Sequence, residues 1–442
     1  LKAGFISLGC AKNLVDTEIM LGMLSAAGID ITDDPASADI LIINTCSFID
    51  SAKDESISTI LQMAEYKKQG ACRGIIVAGC LSQRYQQDLL DELPEIDAVV
   101  GTGAWHRINE AIETVLSGQR ALFIGATDTL YDETMPRITT TPAYSSYVKI
   151  ADGCSNRCSY CVIPEVRGNF RSRPIESVVN EVKNLAAQGV KEINLIAQDT
   201  TSYGHDLYGA PRLTELLRRL TPIEGIVWIR LLYCYPSFFT DELIGLIASE
   251  PKICNYIDLP LQHAHDDILR AMHRRDSRAD IEQLLAKIRA AIPGVAIRTS
   301  FIVGFPGETE EHFAALQEFA VTQKFDHLGV FTYSREDGTI AGSLPDQISD
   351  EVKQERFHSL MSLQSKISED RNIELEGQVL QLLVEGTSDS DQGEILIGRS
   401  YREAPDVDGR VYVENAAPVQ DGSFLTVKVI QGFTYDLLAE KM

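Results

Sequence analysis

Short apolar runs alternate with helix-length stretches along most of these 442 residues, and that alternation leaves few folds open. In residues 1–125 the runs GFISL from Gly4, DILIINT from Asp39, GIIVAG from Gly74 and DAVVG from Asp97 read as buried strands. Residues 15–27, 57–68 and 81–93 carry helical patterns between them. Strands separated by helices pair in parallel, because a parallel neighbour needs a long crossover and the crossover helix covers the sheet. Residues 126–146 are rich in Thr, Asp and Pro without a sustained period and read as a linker. Alternation resumes over 147–373. Strands are expected at YVKIA, INLIAQ, VWIRLLY, YIDLPL, VAIRTSFIVG and HLGVFTYS, and helices at 175–188, 212–220, 241–248, 278–291, 310–322 and 351–373. Six such units close naturally into a partial barrel whose chemistry lies at the C-terminal strand ends. Residues 374–442 change to the runs QVLQLLVEG, GEILIGRS, GRVYVEN and LTVKVIQGFTYDLLAEK, divided by Gly, Asp and Asn, which predicts a small antiparallel β-barrel. The expected class is α/β: an N-terminal parallel domain, a central partial (β/α)6 barrel and a β-barrel tail.

Cysteine placement narrows the chemistry. Cys154, Cys158 and Cys161 form a C-x3-C-x2-C loop directly after the first barrel strand, at the reactive mouth. Three soft thiolates on one loop suit iron or zinc. A closed zinc site takes four protein ligands and an iron–sulfur cluster usually four cysteines, so three would leave one iron open to a substrate. A three-cysteine zinc site or a redox-sensitive loop is the alternative. In the first domain Cys10, Cys46 and Cys80 each follow one of the first three strands. Parallel strands put their C-terminal ends on one edge, so these three can meet and hold a second cluster; otherwise each is a small buried apolar residue. Cys72, Cys234 and Cys254 have no partner spacing and read as structural.

Other residues stand at predicted strand ends. Gln198 and Asp199 lie at the mouth after the second barrel strand. Arg230 and Arg298 lie within strands, where a charge must be paired or face a ligand; a carboxylate ligand and a structural ion pair are both open. Gly304 and Gly307 in VGFPGE allow close backbone approach. Arg167, Arg171 and Arg173 flank the cysteine loop; contact with a substrate is one reading, and a solvated loop face is the expected one.

The C-x3-C-x2-C spacing, with Tyr160 just before its last cysteine, resembles the signature of the radical-SAM superfamily. The resemblance implies a [4Fe-4S] cluster on Cys154, Cys158 and Cys161. Its open iron would chelate the amino and carboxylate groups of S-adenosylmethionine and, once reduced, cleave it to a deoxyadenosyl radical. Tyr160, Gln198, Arg298, Gly304 and Gly307 become the expected cofactor contacts, the glycines standing where this superfamily packs the adenosyl group. SLGCAKNLVDTE, INTCSFIDSAK, VAGCLSQR and RSRP extend the likeness over the whole chain to the radical-SAM methylthiotransferases. That family implies a second [4Fe-4S] cluster on Cys10, Cys46 and Cys80, carrying the sulfur to be inserted after a second S-adenosylmethionine has methylated it. The tail resembles the TRAM domain, usually described as RNA-binding.

Two branches of that family divide on substrate, an adenosine of transfer RNA or an aspartate β-carbon in protein twelve of the small ribosomal subunit. LGCAKN, TCSFIDSAK, IAQDTTSYGHDLYG, RLLYCYP and TSFIVGFPGE resemble the second. Charge agrees: the chain carries a formal −24, and residues 374–442 hold 13 acidic against five basic side chains. Gripping RNA phosphates needs positive charge, whereas an acidic enzyme is steered to a basic ribosomal protein. The expected partners are therefore that protein and an electron donor no residue identifies, with direct nucleic-acid binding not dominant and no membrane. Nine cysteines without an evident secretory segment predict a cytoplasmic location. A non-catalytic iron–sulfur electron-transfer or sensor protein would also hold two clusters, but would not need a six-unit barrel.

Overall fold

The computed structural model describes residues 1–70, 72–390, 393–414 and 419–442. The N-terminal domain is a six-stranded parallel sheet in the order Asp30–Thr32, Lys2–Ser7, Ile40–Thr45, Gly74–Gly79, Ala98–Gly101, Ala121–Phe123. The two edge strands have three residues each, too few to show a period, and were not expected. The helix expected over 81–93 is broken. Cys80–Tyr85 and Gln87–Glu92 are separate helices, because Gln86 takes a positive φ (45°) that ends the first.

The central domain is an open six-stranded parallel sheet in chain order: Ser145–Lys149, Glu192–Ile196, Trp228–Leu231, Ile253–Asp258, Ala296–Val303, His327–Thr332. One set of alternating residues, including Val148, Ile193, Leu195, Ile229 and Ile297, packs under the outer helices. The opposite set behaves differently. Tyr147, Trp228, Tyr256 and Ala296 join one apolar cluster with Val15, Ile19 and Leu24 of the helix Ala11–Ala26 and with Leu383 and Ala404 of the tail. The inner face of the barrel is thus filled from both neighbouring domains. Residues 126–144 have no regular structure, yet they are strapped down: Arg137 bridges Glu18 and Glu181 at 2.6 Å each.

The tail closes as a five-stranded barrel of Val379–Ser390, Gly393–Arg399, Val411–Glu414, Leu437–Lys441 and Phe424–Gly432. All its pairings are antiparallel except Val411–Glu414 with Leu437–Lys441. The last run read from sequence divides into two strands at the turn after Gly432, and the end of the GRVYVEN run, Asn415, lies outside the described residues. No described helix is long and apolar enough to cross a membrane.

A buried charge cluster locks the tail to the barrel. Glu192, wholly buried, accepts from Arg399 at 2.7 Å, Arg230 at 3.2 Å and Ser145 at 2.8 Å. Burial alone would raise the Glu192 pKa, but Arg399 and Arg230 override it and hold it at about 2. A depressed carboxylate stabilises the fold above its ordinary pKa, and that contribution fades as pH falls from about 4.5 toward 2. Glu192→Ala leaves the buried Arg230 without a carboxylate and Arg399 with Glu385 alone, and is expected to cost about 3–5 kcal/mol. The expected reading is a lowered Tm, with the tail becoming sensitive to protease.

Candidate functional site

The first cysteine trio is assembled by the sheet edge. Cys10 is the N-cap of helix Ala11–Ala26, Cys46 directly follows strand Ile40–Thr45, and Cys80 opens the helix after strand Gly74–Gly79. Asn13 ties their loops together. Its Nδ2 donates to the Leu8 carbonyl at 3.1 Å and the Thr45 carbonyl at 2.9 Å, and its Oδ1 accepts from Cys80 Sγ at 3.6 Å. A Cβ placed on Gly9 would lie 3.3 Å from Cys46 Sγ, so the Cys10 loop runs against the second cysteine. Burial opposes ionisation of Cys10, but Lys12 and Arg167 together hold its thiol below the ordinary range. Burial raises the Cys46 thiol and pushes Cys80 up to about 12.

Arg167 comes from the other trio's loop. It lies six residues beyond Cys161, is buried, and donates to Asn13, to Asp16 at 2.9 Å and to Asp152 at 3.1 Å. Lys149 completes the cluster through Asp16 and Asp152. The expectation of a solvated face is therefore wrong for Arg167 and for Arg173, which is buried against Glu181. The Arg167–Asp16 pair is made by the packing of the two domains, and the Arg173–Glu181 pair by the fold of the barrel itself.

The second trio sits on a loop pinned independently of its sulfurs. Cys154 N–H donates to the Gly168 carbonyl at 3.1 Å. Ser159 donates through N–H and Oγ to the Met272 and Ala271 carbonyls. Asn156 Nδ2 donates to Asp199 at 2.8 Å, so Asp199 acts as an anchor for the loop as well as the cap of the turn Thr200–Ser202. Burial pushes Cys154 up to about 11 and Cys161 higher still, with Cys158 adding to both. Arg274 lies beside this trio, stacked 4.0 Å over the Tyr235 ring. Burial opposes its charge, but Tyr160 and Cys158 favour it more strongly. No sequence signal separated Arg274 from its neighbours in HRRDSR.

The remaining expected residues are spread over the barrel. Tyr160 packs with Phe305, Met272 and Tyr333. Gln198 donates to Asp152 at 2.8 Å, and its buried Oε1 has no partner among the described residues. Gly304 and Gly307 both have positive φ, 75° and 79°. A Cβ on Gly304 would strike Lys353 at 2.3 Å, while one on Gly307 would meet nothing within 4 Å. Glu308, not singled out in the sequence, accepts from the Gly304 and Phe305 N–H groups at 2.7 and 3.2 Å and from Arg356 at 3.1 Å, fixing the loop. Arg298 pairs with Asp258 at 3.0 Å and Asp408 at 3.4 Å, and Arg230 with Glu192, so both make the ion pairs that were one of their two readings. Cys72, Cys234 and Cys254 are buried.

All nine thiols are free. Among the described residues, His265, Asp267 and His312 form a group of donor atoms all within 4.8 Å of one another. Nδ1 of each histidine already accepts a backbone N–H at a helix start, from Asp267 and Thr309, which explains their placement as caps.

Comparison with known proteins places each part. Residues 2–101 match the model described as Uncharacterized protein family UPF0004, residues 148–320 the Radical SAM superfamily and residues 377–441 the TRAM domain. A solved radical S-adenosylmethionine methyltransferase, TsrM from Kitasatospora setae, superposes with a TM-score of 0.57 over 77% of either chain at 17% identity, a likeness of fold. The sequence relatives are far nearer. The protein called ribosomal protein uS12 methylthiotransferase RimO from Desulforamulus reducens is 53% identical over 99% of this chain and 98% of its own length. The chain belongs to the RimO family of radical-SAM methylthiotransferases. RimO proteins of Pelotomaculum thermopropionicum and Geobacter sulfurreducens are each 52% identical, over 100% and 99% of this chain and 99% and 98% of theirs. In this RimO-family chain the two cysteine trios occupy the first two matched regions and meet through Arg167.

Proposed function

We propose that this enzyme inserts a methylthio group at the β-carbon of an aspartate in ribosomal protein uS12. The observation carrying the reading is the joining of two free-thiol trios by one buried arginine: Arg167 leaves the Cys154 loop and ends against Asn13, which in turn holds Cys80. The residues fit the implied groups. Each trio offers three thiols without disulfides, each has an arginine beside it, buried Arg167 or half-buried Arg274, to balance the charge of metal-bound thiolates, and the unpartnered Gln198 Oε1 can accept from a bound ligand. Cys154, Cys158 and Cys161 would hold one [4Fe-4S] cluster with S-adenosylmethionine, and Cys10, Cys46 and Cys80 a second. Together these groups supply hydrogen abstraction from an unactivated carbon and the sulfur that replaces the hydrogen.

The chain's own residues do the positioning. Tyr160, in the loop of the second trio, and Gly307 would receive the adenosyl end, Gln198 would take the amino group, and Glu308 holds the Gly304 turn, with Arg298 paired to Asp258. Residues 1–125, linker 126–146, barrel 147–373 and tail 374–442 act as four parts, the shared apolar cluster sealing the junction from water. The partner follows from charge. Of the five basic residues in the tail, Arg399 and Arg402 are buried on Glu192 and Asp326, leaving an acidic surface suited to a basic protein. Offered purified transfer RNA and uS12 together with S-adenosylmethionine and a reductant, the enzyme is expected to add a methylthio mass to the protein alone. Addition to RNA alone would overturn the substrate assignment.

A further inference from the structure

Lys12 is only 7% exposed, and among the described residues no hydrogen bond or ion pair closes on its ammonium. Its acidic neighbours are already engaged. Asp152 is held by Lys149, Arg167 and Gln198, and Asp258 by Arg298 and by the Tyr233 N–H at 2.8 Å. What Lys12 does touch is the Tyr233 ring, with Nζ 3.0 Å from its centroid. A cation–π contact offsets only part of the desolvation of an ammonium, and beyond the Cys10 thiol two residues away no carboxylate closes on this charge. Tyr233 is itself unusual. It lies just beyond strand Trp228–Leu231, at the barrel mouth, with φ 61°, a conformation unfavourable to a bulky side chain. The Asp258 carboxylate takes its N–H, and its carbonyl accepts from Thr200 N–H at 2.9 Å. These two bonds fix Tyr233 in that conformation, with its ring beneath Lys12.

Lys12 stands two residues from Cys10, facing the barrel mouth. On the function proposed above, the carbon to be modified must reach this junction, and an aspartate β-carbon brings a carboxylate bonded directly to it. We infer that Lys12, seated on Tyr233, binds the carboxylate of the substrate aspartate and selects an acidic side chain at the reacting position. An anchored carboxylate would leave the β-carbon one bond away with little freedom, which is what selective hydrogen abstraction requires.

The test uses the cluster-loaded enzyme, with iron content measured for each variant, and two substrates: uS12 and a uS12 variant whose target aspartate is asparagine. Wild type is expected to prefer the aspartate form by about 10–100-fold in kcat/KM, the range for removing a charged hydrogen-bond partner. Lys12→Met is expected to erase that preference by depressing the aspartate reaction alone, and to weaken binding of a peptide spanning the target aspartate. Lys12→Arg, which keeps the charge, is expected to retain the preference. Equal losses on both substrates in Lys12→Met would overturn the inference and make Lys12 a counter-charge to the Cys10 trio. Absence of methylthio product on either protein with the wild-type enzyme would instead bring down the parent reading, and this one with it.

Discussion

Cys158→Ala is expected to halve the iron content, from about eight to about four per chain, and to abolish deoxyadenosine formation from S-adenosylmethionine. One lost ligand from a trio already lacking a fourth leaves two thiolates, too few to retain the cluster. The fold is expected to survive, because the loop is pinned by groups other than that sulfur. Cys154 N–H, both donors of Ser159 and the Asn156–Asp199 bond stay in place. Circular dichroism and Tm separate loss of the site from loss of the fold, while iron analysis and chromatography of the nucleoside products read the effect. Deoxyadenosine formed at the wild-type rate would remove the radical assignment from this loop.

Cys46→Ala separates the two trios. Iron is again expected to fall to about four per chain, yet deoxyadenosine should still form while the methylthio product disappears. The asymmetry arises because the two sites belong to different chain segments. Cys46 follows a strand of the first sheet, its backbone N–H accepted by Ser56 Oγ at 3.2 Å, and no part of the Cys154 loop is built on it. Arg167 couples the sites by reaching Asn13, Asp16 and Asp152, and Thr102 by donating to the Val166 carbonyl, none of which the substitution removes. Methylthio product at the wild-type yield would show that sulfur delivery does not need this trio. Loss of both products with full iron would show that the two sites act as one.

How far sequence reaches is visible in particular residues. The six cysteines were legible because each belongs to a local rule: a short loop spacing in one trio, a strand end in the other. Arg167 and Arg173 misled. Arg167 looks solvated until the first domain closes over it and Arg173 until its own barrel does, and their acidic partners Asp16 and Glu181 lie 151 and eight residues away in the chain. Gln86 misled differently, since nothing in a helical period announces a single residue with positive φ.

Local pattern alone therefore determined the element types, the parallel pairing and the two sets of three thiols, because these depend on side-chain period and on where a strand stops. Tertiary structure alone decided which charges are balanced. Glu192 between two arginines, Arg167 reaching across to the first trio, and Lys12 held on a ring without a carboxylate all depend on distances between segments far apart in the chain. The energy of a buried charge is set by what surrounds it in space, and no reading along the chain supplies that.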